Sequence, residues 1–234
     1  MPLLEGVSLF LSASVPSPAR AEEFNRVPHA QVEIEGAVVA LARAVLSEGG
    51  RLVFGGHPSI SPLVASVAGE YAGDGGEGAR VVIHQLEAFR TQLVDATVEM
   101  AKMGWAEIRW HPVHPSEQGH RPEPGKPPFP ESLRRMRQVL LAETGDLAAM
   151  VCVGGMEGVI QEAVLFRDRV EGTRPCFAVH RSGGAAKILA EREREWVRAI
   201  DDEVLGPDDG AAGRRYVPYP LIMQMLVREI ARSR

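Results

Sequence analysis

"MVCVGGMEGVIQEAVLF", residues Met150–Phe166, carries an unbroken apolar run into two glycines, meets a third at Gly158, and resumes as a helical pattern with Glu162 one turn in. A run that is apolar at every position suits a strand buried on both faces, as in a parallel sheet covered by helices. Glycines at the strand's end followed directly by a helix make a strand-to-helix turn. The stretch therefore predicts one unit of a strand–helix alternation.

The same unit recurs along the chain. Apolar runs predict strands at Val7–Ser12, Arg51–Gly55, Arg80–Leu86, Ala106–Val113, Ala148–Gly154 and Pro175–Arg181. Helical spacing fills the intervals at Gln31–Gly49, Ile60–Gly73, Thr91–Trp105 and Pro130–Gly145, the first closing on a Gly-Gly stop. The expected fold is α/β: a doubly wound, mainly parallel sheet of six or seven strands with helices on both faces, Rossmann-like, in a single domain over 1–234.

Three segments interrupt the alternation. "HPSEQGHRPEPGKPPFP" (114–130) is rich in Pro, Gly and charge and predicts a surface loop able to act as a lid. "GPDDGAAGRR" (206–215) predicts a second loop, before an amphipathic C-terminal helix over 220–232. The apolar face of that helix (Leu221, Ile222, Met225, Leu226, Ile230) can cap the sheet or join two subunits. "EREREW" (Glu191–Trp196) is expected to be a mixed-charge, solvated helical surface.

Composition narrows the function classes. With 234 residues, 45% hydrophobic, the chain can bury a sizeable core. A net charge of -5 argues against generic binding to duplex nucleic acid. The opening "MPLLEGVSLFLSAS" lacks a basic n-region and is too short an apolar run to span a membrane, so a cytoplasmic location is expected. Cys152 and Cys176 lie in apolar runs without CxxC or Cys/His spacing and read as core thiols. His111 and His114, each followed by a proline, read as loop structure, and no metal or cofactor is expected.

In doubly wound sheets ligands gather beyond the carboxyl ends of the strands. Three strand ends stand out. Ser12 and Ser14 close the first strand, where hydroxyls can bond a phosphate or ribose or simply cap a helix. Gly55 and Gly56 close the second, followed by His57 and by Ser59, a potential cap for the next helix. Gly154, Gly155, Met156, Glu157 and Gly158 form the third, a seat with backbone amides open to an anion but without the Gly-Lys-Ser/Thr of a Walker loop. Glu162 is either a carboxylate favoured by the helix dipole or a partner for ribose and the acid/base of a sugar carbon.

Together these motifs resemble the SLOG superfamily of Rossmann-like domains, which includes LONELY GUY-type phosphoribohydrolases and the ligand-sensing domains of anti-phage systems such as Thoeris. The family pattern is a helix with a catalytic arginine, then a strand ending in Gly-Gly-x-Gly-Thr-x-x-Glu. Here "LRRMRQVLLAE" precedes "AAMVCV" and "GGMEGVIQE". Arg137 falls near the arginine's place, with Arg134 a competitor one turn earlier, and Glu162 stands four residues after Gly158 as the family's glutamate does. The likeness covers roughly Ser8 to His180. This chain departs by one extra residue between the glycines, by Val159 in the threonine's place, by Val153 in the proline's place, and by Glu157, a negative charge beside the phosphate seat.

The resemblance implies a nucleotide or nucleotide-derived ligand, homo-oligomers, and three functional alternatives. One is a sensing domain in anti-phage signalling, with a separate effector protein as partner. Another is an N-glycosidic bond hydrolase acting on a nucleoside monophosphate, with Glu162 and Arg137 catalytic. The third is a scaffold with a vestigial pocket.

Overall fold

A computed structural model describes residues 2–17, 22–25, 29–71, 80–119, 128–205 and 217–233. Of the two expected loops, 120–127 and all of 206–215 lie outside the described residues.

Seven strands form one sheet: β1 (Ser8–Ser14), β2 (Arg51–Phe54), β3 (Val81–Leu86), β4 (Ala106–His111), β5 (Leu147–Gly154), β6 (Cys176–Val179) and β7 (Val197–Ala199). Their order is β4-β3-β2-β1-β5-β6-β7, and every pairing is parallel. The fold is the expected α/β, Rossmann-like one. The direction of winding reverses between β1 and β5, where the register sets Ser12 beside Cys152 and Ser14 beside Gly154. A crevice opens at such a reversal because the connections leave to opposite faces.

The helices are α1 (Ala30–Ser47), α2 (Ser61–Ala68), α3 (Asp95–Lys102), α4 (Pro130–Glu143), α5 (Glu157–Val170), α6 (Gly184–Arg192), α7 (Ile200–Leu205) and α8 (Tyr219–Arg232). Alternate strand residues serve different faces. Leu9, Leu11, Val151 and Val153 pack with Ile34 and Leu41 of α1, Val64 of α2, Met100 of α3 and Leu226 of α8. Phe10, Met150 and Cys152 pack with Leu140 of α4, Phe166 of α5 and Leu189 of α6. Period-two exposure to two apolar layers is what makes these strands apolar at nearly every position. Phe10, Phe166 and Phe177 are fully buried, each contributing about 1.5–3 kcal/mol relative to exposure.

Some elements depart from expectation. The Ile60–Gly73 pattern breaks at Ala68 and continues through Tyr71 as a 3-10 turn. A Cβ on Gly69 would lie 2.8 Å from the Trp105 ring, so this glycine admits the indole that closes the following unit. "EREREW" is not one helical surface: α6 ends at Arg192, a turn follows, and β7 begins at Val197. The cause is Trp196, which is partly buried, donates its Nε1–H to Glu193 Oε2 at 2.7 Å and stacks beneath the Arg167 guanidinium.

The C-terminal helix α8 packs against α1 through Ile222, Leu226 and Ile230, which are buried, together with Met223 and Val227. Leu221 and Met225, read as part of the same face, are 48% and 44% exposed. No helix among the described residues is long and apolar enough to cross a membrane.

Candidate functional site

A cavity of about 350 Å³ lies beyond the carboxyl ends of β1, β2, β3 and β5, between α4 and the start of α5. That volume suits a small-molecule site, and its mixture of apolar walls with a few polar groups is the usual composition of one.

Glu162 sits at the centre of the polar wall. Ser12, buried on β1, donates its hydroxyl to Glu162 Oε2. Arg137 on α4 donates Nε–H to Glu162 Oε1 at 2.9 Å and Nη1–H to Gln161 Oε1 at 2.9 Å. The side chains of Arg137 and Glu162 are each 13% exposed, so the ion pair is shielded yet open to the cavity. Such pairing holds both groups in one geometry, because breaking it would leave a charge without its partner in a partly dry site.

The glycine turn beneath them is a structural knot. Gly154 and Gly155 adopt φ of +58° and +83°, which L side chains rarely reach. Gly154 N–H donates to Ser182 Oγ at 2.8 Å, Gly155 N–H donates to the Ser14 carbonyl at 2.7 Å, and the Gly155 carbonyl accepts from Ala185 N–H at 2.9 Å. These bonds tie the ends of β1, β5 and β6 together. The two glycines therefore form the floor under the site, while Met156, Glu157 and Gly158 reach the cavity wall.

The β2 loop supplies the facing wall. Gly55, Gly56 and His57 line the cavity. His57 Nδ1 lies 2.8 Å from Ser59 Oγ and accepts Ser59 N–H at 3.2 Å, while Ser59 Oγ also accepts Val15 N–H at 3.2 Å. Ser59 thus orients His57 and joins the β1 and β2 loops without lining the cavity itself.

Of the residues singled out from sequence, the cavity gathers Ser14, Gly55, Gly56, His57, Met156, Glu157, Gly158, Arg137 and Glu162. Ser12 reaches the site through Glu162. Arg134 does not join them: it pairs with Glu131 on the same helix at 2.5 Å and is 53% exposed. His111 and His114 diverge, the former meeting His84 at 2.9 Å and the latter Ser116 Oγ at 2.7 Å. Among the described residues, no group of three or more His, Cys, Asp or Glu side chains is placed to hold a metal ion.

Sequence reasoning missed part of the wall. Gln85, at the end of β3, lines the cavity and donates Nε2–H to the Gly56 carbonyl at 3.1 Å. Phe89, Leu93 and Val94 follow in the 3-10 segment Glu87–Gln92 and just beyond it, facing Leu133 and Met136 of α4 across the cavity. A readable signal existed: Gln85, after His84, is a polar residue at the carboxyl end of a strand that is otherwise apolar.

No curated protein sequence matches the chain. Among solved structures it is similar to the X-ray structure of TM1055, a Northeast Structural Genomics Consortium target, at 14% identity and a TM-score of 0.49, covering 82% of this chain and 89% of that one. The model of the SLOG cluster3 family matches residues 26–107 and 128–205, more than half of the sequence, and the chain belongs to that family.

Proposed function

We propose that the chain is a binding domain for a nucleotide-derived ligand, held between the apolar wall of Phe89, Leu93, Leu133 and Met136 and the polar wall of Ser14, Gln85, Arg137 and Glu162. The observation that carries this reading is the convergence of four strand ends on one cavity at the winding reversal. A flat base fits the apolar side, and ribose hydroxyls fit the carboxylate and amide side. Recognition rather than turnover is favoured because both Glu162 oxygens already accept bonds from protein donors, Ser12 and Arg137. In anti-phage signalling the bound state would be passed to a separate effector protein, and a homo-oligomer is the expected assembly.

Hydrolysis of an N-glycosidic bond is the second reading, favoured by the presence of a carboxylate, Glu162, and a guanidinium, Arg137, together in the cavity lining. An oxocarbenium-like state needs a carboxylate near the anomeric carbon. Incubation with nucleosides, nucleoside monophosphates, NAD and cyclic ADP-ribose-type ligands separates the two, read by thermal shift and by free base. A ligand-dependent rise in melting temperature without base release supports sensing. Base release that disappears in Glu162→Gln establishes hydrolysis instead, and neither response leaves a vestigial pocket.

A further inference from the structure

Glu157 is the first residue of the fourteen-residue helix α5 and lines the cavity one residue before Gly158. Its Oε2 is buried and has no hydrogen-bond partner among the described residues. The amides at the start of a helix favour an anion, and a ligand phosphate commonly takes that place. Here the chain's own carboxylate is stationed there.

The charge of the cavity points the same way. Its described charged lining groups are Arg137, Glu157 and Glu162, so the carboxylates outnumber the guanidinium. Arg137 is moreover engaged twice, by Glu162 and by Gln161. Val159, the next residue but one, brings no hydroxyl to the seat. A phosphomonoester entering this end would meet the Glu157 carboxylate, while the one guanidinium of the described lining is already paired with Glu162. A sugar hydroxyl or an amine would instead donate a hydrogen bond to the Glu157 carboxylate where it lines the cavity.

We propose that Glu157 is a specificity residue: it accepts a hydrogen bond from an unphosphorylated ribose hydroxyl at the α5 end of the cavity and excludes a terminal 5′-phosphate from that seat. This rests on the nucleotide-ligand reading of the cavity and narrows it to ligands whose sugar is free at this end, such as nucleosides or ligands whose phosphates lie elsewhere.

The test is calorimetric titration of the full chain with each common nucleoside and its matching 5′-monophosphate, for the native protein and for Glu157→Gln and Glu157→Ser. The expected result is at least tenfold preference of the native protein for the nucleoside, a preference that Glu157→Gln cuts at least tenfold by strengthening monophosphate binding. Lowering the salt concentration should widen the native preference more than that of Glu157→Gln, because the variant lacks one of the two lining carboxylates. Circular dichroism melts confirm that both variants fold. Native preference for the monophosphate overturns the proposal, as does a ratio unaltered by both variants, while nucleotide binding itself stands. Failure of every nucleoside, nucleotide, NAD and cyclic ADP-ribose-type ligand to bind overturns the cavity reading and this inference with it.

Discussion

A Cβ on Gly158 would lie 2.8 Å from Arg137 Nη2. The guanidinium crosses the first turn of α5 over this glycine on its way to Glu162, so the absence of a side chain at 158 is what permits the ion pair.

Gly158→Ala should therefore separate stability from ligand response. Gly158 is the second residue of α5, where alanine is favoured over glycine by less than the roughly 1 kcal/mol of a helix interior, and the clashing atom is the free end of a flexible side chain. The gain in the helix is offset by strain on the shielded Arg137–Glu162 pair, so the melting temperature should change little, while displacement of Arg137 weakens ligand binding at least tenfold. Thermal melts and titrations on the same sample check this.

Gly184→Ala should act oppositely. Gly184 has φ of +57°, and a Cβ there would lie 2.5 Å from the Gly155 carbonyl oxygen, a backbone atom that cannot swing aside. A cost of about 2 kcal/mol or more is expected from urea denaturation. Gly145→Ala, where an added Cβ meets nothing within 4 Å, should change stability by about 0.5 kcal/mol or less.

Acid should destabilise the protein through His84. Burial, followed by the neighbouring His111 and Arg109, lowers its pKa to about 3, and its Nε2 is buried without a partner among the described residues. Because the folded pKa lies below the unfolded value, the stability linked to neutral His84 is fully present above about pH 6.5 and is lost as pH falls towards 3. The slope approaches about 1.4 kcal/mol per pH unit for that one proton. Urea midpoints measured from pH 7 to 4 should fall less steeply in His84→Leu than in the native protein.

Tyr219→Phe tests the docking of the C-terminal helix. The phenol donates to Glu33 Oε2 at 2.5 Å, joining α8 to α1, and burial with Glu33 alongside raises its pKa. The ring also lies against Gly36, whose absent Cβ makes room for it, and under the Arg181 guanidinium at 4.7 Å. Phenylalanine keeps the ring contacts and removes one hydrogen bond to a carboxylate, a loss of about 1–2 kcal/mol in denaturation. Adding Glu33→Gln should cost less in the Tyr219→Phe background than in the native one.

Much of the fold was legible because its signals are local. Each of the six strands read from apolar runs lies within two residues of an observed one at its start, and the Pro130–Gly145 pattern became α4 over Pro130–Glu143. The seventh strand escaped notice: Val197–Ala199 has three residues, too few to display a period, and follows a run of charge. In the site, the glycines, serines and Glu162 announced themselves by type at strand ends. Phe89, Leu93 and Met136 did not, since an apolar residue lining a cavity and one in a core have the same sequence signature.

Arg134 and Arg137 show where sequence reading ends. At i, i+3 they share a helix face, and spacing leaves them as competitors. Arg134 stands near the start of α4, where Glu131 captures it in solvent; Arg137, one turn further along, reaches the mouth of the crevice. By itself, the sequence determined the alternation of strands and helices, the layers that cover the sheet, and which strand ends carry glycine and hydroxyl groups, because each is written in contiguous residues. Only the tertiary structure decided that Ser12 and Arg137 meet on one carboxylate, across 150 and 25 residues, and that Glu157 faces the same cavity. That outcome depends on β1 pairing beside β5 in one register, a long-range contact that no local pattern encodes.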